Sequence, residues 1–177
     1  MFRQLQRKRL LSVAFVSFLA GCSQPPQPTN SSGPNVAAAS ATPQLTAFGA
    51  FATEAPQDWL IARTNTPQTM AFFVQLGSDG KTPNAMIKVD VGKPVLPTLQ
   101  ATAEAFAGED GTIIPGAKVG DEEAILVETP SATNARPCVI VACVHNDKLY
   151  LIMGSKEGDV DVKLAVEHLV KTWQWTD

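Results

Sequence analysis

The sequence predicts an α+β domain, an α/β/α sandwich with a largely antiparallel central sheet and two main helices. Three observations lead there. Pro137 to Val144 is apolar on both faces, with Cys138, Ile140, Ala142 and Val144 on one and Val139, Val141 and Cys143 on the other. Such a strand belongs in the middle of a sheet that is covered on both sides. Ala85, Ile87, Val89 and Val91 alternate with Met86, Lys88 and Asp90, the pattern of a half-buried strand. Leu96, Leu99, Ala103 and Phe106 share one helical face, and Val162, Val166, Leu169 and Trp173 share another. Two such helices and a sheet wet on neither side make a layered sandwich.

Each element follows in chain order, within a single globular domain over 45–177. Leu45 to Thr53 has strand character, and Pro56-Gln57-Asp58-Trp59 makes a turn that ends on a large apolar residue. Leu60 to Thr64 and Met70 to Leu76 read as strands on either side of a loop containing Pro67. Gly77-Ser78-Asp79-Gly80 is a turn signal ahead of the alternating strand. The first helix takes Pro97 in its opening turn and stops at Gly108. Thr112 to Lys118 and Ala124 to Thr129 form two strands hinged at Gly120-Asp121. Asn146-Asp147 suits a tight hairpin between the doubly apolar strand and Leu149 to Met153. The last helix runs from about Val160 to Trp173 with Asp159 as its N-cap.

Ahead of the domain lies a three-part leader over 1–21. Arg3, Arg7, Lys8 and Arg9 form a basic front, and Leu10 to Ala20 is an apolar run broken only by Ser12 and Ser17. That layout is a secretory signal. The run is too short to span a bilayer, which takes about 20 apolar residues. Residues 22–44 hold five prolines, many small polar residues and no charge, the composition of a disordered tether. Four of the 14 basic residues and none of the 17 acidic ones precede Cys22, so the mature chain carries a charge of −7. An acidic body argues against nucleic acid and against electrostatic docking on anionic lipid.

The leader's ending, Leu19-Ala20-Gly21-Cys22, resembles the lipobox of bacterial lipoproteins. The resemblance implies cleavage between Gly21 and Cys22, a diacylglycerol on the Cys22 thiol, and acylation of the new amine. Buried acyl chain contributes about 0.8 kcal/mol per CH₂, so two or three chains hold a protein on a membrane. Ser23 stands where Asp would favour inner-membrane retention, which points to the outer membrane, facing the periplasm, in a Gram-negative host.

A second resemblance concerns the domain. Phe48-Gly49-Ala50-Phe51 leading to Ala55-Pro56-Gln57-Asp58-Trp59, the hairpin His145-Asn146-Asp147-Lys148-Leu149-Tyr150, and the closing Leu169-Val170-Lys171-Thr172-Trp173 resemble landmarks of the PsbP/Mog1-like fold. The likeness covers about residues 45 to 175. It implies an accessory or binding role in a larger assembly, and it carries no catalytic residue onto this chain.

The residues themselves offer little chemistry. His145 and Asp147 sit close in sequence, yet the chain holds no Gly-x-Ser-x-Gly elbow and the pair reads as hairpin chemistry. His168 flanks the core stripe of the last helix as a solvated side chain. Cys138 and Cys143 fall about 16 Å apart on one strand at 3.3 Å per residue, which forbids a disulfide and reads as two small core residues. Glu109-Asp110 and Asp121-Glu122-Glu123 lack calcium-loop spacing and read as solvated turns. No metal, cofactor or catalytic set is expected. Trp175 lies past the helix stop and either covers a core edge or offers an aromatic anchor to a partner. The expectation is a non-enzymatic envelope lipoprotein that binds or supports an unidentified envelope protein. The alternatives are a small-ligand binder using a cleft between sheet and helix, and a hydrolase with an unrecognised site.

Overall fold

Strand pairing dominates the architecture. The computed structural model describes residues 44–62, 64, 66–130, 138–156 and 159–176, within one compact unit. Residues 1–43, with the expected leader, Cys22 and most of the expected tether, and Pro137 lie outside the described residues. Strands β1 (Leu45–Ala47) and β2 (Phe51–Glu54) pair antiparallel. Strands β3 (Leu60–Ile61), β4 (Thr69–Leu76), β5 (Pro83–Gly92), β6 (Thr112–Val119), β7 (Glu122–Glu128), β8 (Val139–His145) and β9 (Lys148–Lys156) build a second sheet. It has seven strands in the order β3-β4-β5-β9-β8-β7-β6, and every neighbouring pair is antiparallel. Helices α1 (Leu99–Ala107) and α2 (Val162–Lys171) and the short β10 (Gln174–Trp175) complete the chain.

The doubly apolar segment lands inside the sheet. β8 lies between β7 and β9, and its side chains supply two separate clusters. Val139, Val141 and Cys143 pack with Val162, Ala165, Val166 and Leu169 of α2, whereas Ile140 packs with Ala103 and Ala107 of α1. The helices therefore cover opposite faces, because successive side chains of a strand point to opposite sides. β5 keeps its alternation, with Ala85, Ile87 and Val89 buried. Both sheet edges are blunted. β3 is only two residues long, and β6 carries Pro115 and a register shift between Ile114 and Ala117.

Several boundaries differ from expectation, each for a local reason. Leu45 to Thr53 is not one strand: Gly49, at φ 81°, reverses the chain between β1 and β2. Leu60 to Thr64 shortens to β3. α1 starts after Thr98, whose hydroxyl caps Ala101 N at 3.0 Å, so Pro97 precedes the cap rather than filling the first turn. Its buried face is Thr102, Ala103 and Ala107, while Leu96 and Phe106 are exposed. α2 is capped by Asp161, not Asp159, through Leu164 N at 3.1 Å, and it ends at Lys171. Trp173 thus leaves the helical stripe, yet it is buried and stacks on Phe51 at 3.8 Å. The hairpin at Asn146-Asp147 holds as expected, with both residues at positive φ.

The C-terminal end closes back on the start of the domain. β10 pairs with β2 and makes the three-stranded sheet β1-β2-β10. Buried Thr53 donates its hydroxyl to Leu169 O at 2.8 Å and meets the Thr172 hydroxyl at 2.9 Å, tying β2 to the end of α2. Elsewhere α2 comes very close to β9. A Cβ at Gly154 would lie 2.9 Å from methyls of both Val162 and Val166.

Candidate functional site

Two places gather side chains that can do more than pack, and both lie near β6 and the chain's C-terminal end. The first is built on hairpin ends. β7 and β8 pair with Ala124 opposite Cys143, and two residues further along the same register Glu122 faces His145. The His145 Nδ1 lies 2.8 Å from Glu122 Oε1, and Nε2 lies 3.2 Å from Asn146 Nδ2. Trp175 lies flat on the imidazole, with centroids 3.8 Å apart and planes at 7°. His145 is therefore not a solvated hairpin residue, since its side chain is only 12% exposed. The carboxylate on its ring belongs to Glu122, while Asp147 stays in the turn, exposed, with φ 59°.

Trp175, for which the sequence allows either of two roles, is half-buried. Its Nε1 donates to Val119 O at 3.2 Å, and its ring also meets Tyr150 and Trp173 edge-on. Gly120 accommodates this packing, because a Cβ there would sit 2.8 Å from the Trp175 Nε1. Thus Trp175 covers a core edge and keeps part of its surface open. His168 is partly exposed on α2 and lies 3.9 Å from Glu54 of β2.

The cysteines are unbridged and buried. Cys138 precedes β8, so the strand's alternation does not set its face, and both thiols join the cluster that contains α2. Burial, with the nearby Glu122 carboxylate adding to it, pushes the Cys143 thiol up to about 12. Burial also raises Cys138, whose Sγ donates to Gly154 O at 3.5 Å. Both thiols therefore stay protonated at neutral pH, and a thiolate nucleophile is absent from this part of the core. Among the described residues, no group of three or more His, Cys, Asp or Glu side chains is placed to hold a metal ion.

The second place is a groove of about 430 Å³ between α2 and the β6 edge of the sheet. Leu126 and Val141 line it from the sheet, and Val170 lines it from the helix. Lys118, Lys171 and Glu167 bring charge to it, and Trp173 and Gly120 close one part. The Trp173 indole is 4% exposed, and its Nε1 has no hydrogen-bond partner among the described residues. Sequence periodicity missed this groove because it joins residues from three strands, a turn and a helix.

The expected site residues Gly21 and Cys22 lie outside the described residues. No helix of the described residues is long and apolar enough to cross a membrane. Neither a protein-family model nor a curated protein sequence matches this chain.

Proposed function

We propose that this chain is a bacterial envelope lipoprotein. Its PsbP/Mog1-like domain acts as a non-enzymatic binding or accessory module for another envelope protein. The observation that carries the reading is Leu19-Ala20-Gly21-Cys22 at the end of a basic and then apolar leader, followed by an uncharged tether. The leader routes the chain across a membrane. The thiol of Cys22 takes the lipid, and the tether gives the domain reach from the bilayer surface.

Two features of the domain support the accessory role. The residues on which the family likeness rests converge: Phe48, Phe51, Tyr150 and Trp173 form one chain of ring contacts, with Trp59 buried in the same cluster. The core thiols are also withdrawn from nucleophilic chemistry, since burial keeps both protonated. Crosslinking in intact cells, followed by mass spectrometry of adducts, tests the proposal. A reproducible adduct with one envelope protein, lost when Cys22→Ser removes the anchor, is the expected result. Recovery of the monomer alone across growth conditions contradicts it.

A further inference from the structure

We propose that the groove between α2 and β6 is a binding site for a small amphipathic carboxylate, a molecule with an unbranched apolar body and one anionic head. The observations behind it are independent of the anchoring proposal, which enters only through the choice of the Cys22→Ser chain for the test.

The groove's size and chemistry select this class. Its volume of about 430 Å³ is in the range of small-molecule sites and suits a chain of medium length. Leu126, Val141 and Val170 offer carbon surface from both walls, which favours an apolar body. Two cations, Lys118 and Lys171, line the groove of a domain that is acidic as a whole, and neither has an ion-pair partner among the described residues. Glu167, the anion on the same groove, lies 4.0 Å from Lys163, whose nearer partner is Glu128, so two lysines stand against one carboxylate. The charged lining is net positive, and it calls for an anionic head.

Trp173 adds a donor. Its buried Nε1 lacks a partner among the described residues, and its Cδ1 edge lies 3.7 Å from where a Gly120 Cβ would stand. Gly120 and Trp173 both line the groove, with the Trp175 indole packed against the glycine. A carboxylate oxygen seated at the Trp173 end of the groove accepts from an indole N–H that has no other partner among the described residues. A buried donor left without an acceptor is costly, so this contact favours the bound state.

The test uses the full chain carrying Cys22→Ser, which has no lipid of its own, with decanoate as the probe and decanol as its neutral counterpart. Heteronuclear NMR reads the Leu126, Val141 and Val170 methyls and the three indole N–H signals. Saturable one-to-one binding of decanoate is expected, with shifts confined to those methyls and to Trp173. Lys171→Glu should weaken it about tenfold. Val170→Trp, which fills the groove from an already half-buried helix position, should abolish it while the far-ultraviolet spectrum stays unchanged. Absence of saturable binding to the folded chain overturns the proposal. So does equal affinity for decanol, or binding that survives both substitutions.

Discussion

Replacing Trp175 by alanine separates its two readings, a cover for the core or a free anchor for a partner. The structure fixes what is lost. One hydrogen bond from Nε1 to Val119 O, at 3.2 Å, contributes about 1 kcal/mol net. The flat contact with His145 and the edge contacts with Tyr150 and Trp173 contribute about 0.5–1.5 kcal/mol beyond area burial. The half-buried ring adds its own transfer term, and its partial exposure limits the cavity penalty. The sum is about 2–4 kcal/mol of destabilisation. Urea unfolding followed by far-ultraviolet circular dichroism measures it, with Trp175→Phe as a companion that keeps an aromatic ring and loses the donor. The phenylalanine variant should lie between the wild type and the alanine variant. A loss under about 0.5 kcal/mol for Trp175→Ala is what an exposed surface substitution gives, and it would refute the packing role.

Further expectations follow from single sites. Hydrogen bonds from the Thr82 hydroxyl and from the backbone N–H groups of Lys81 and Thr82 hold the Asp79 carboxyl at about 2. This lies below its unfolded value, so the turn's contribution is present above 3.8 and fades as pH falls toward about 2. Carbon-detected NMR should find that low midpoint, and Thr82→Ala should raise it; an unshifted midpoint contradicts the bonding. Maleimide labelling at pH 8 should leave Cys143 unmodified in the folded chain and modify it fully in denaturant, since its thiol is pushed up to about 12. Rapid labelling of native protein at Cys143 would show an open core. Gly154→Ala should cost about 1–3 kcal/mol through overpacking against Val162 and Val166, read as a lower unfolding midpoint. A neutral effect there would mean that α2 slides freely over β9.

Legibility in the sequence tracked how local the cause was. β8 and β5 were readable because their patterns reflect burial on two faces or one, and no long-range partner is needed to see it. The two-residue β10 was not, because Gln174-Trp175 becomes a strand only by pairing with β2, over a hundred residues earlier. The face of α1 was misplaced by following size. Leu96 and Phe106 look like core, yet both are exposed and small Ala103 and Ala107 fill the contact with the sheet. The contact between Glu122 and His145 depends on the β7–β8 register, which the intervening segment conceals in the sequence. Asp161 prevailed over Asp159 as the cap because only its side chain reaches the Leu164 N–H.

Intact-mass analysis of the chain purified from membranes of its host reads the proposed lipidation of Cys22 directly. The expected product is a polypeptide that begins at Cys22 and carries a thioether-linked diacylglycerol. A mature chain that starts at any other residue, or a Cys22 with a free thiol, contradicts it.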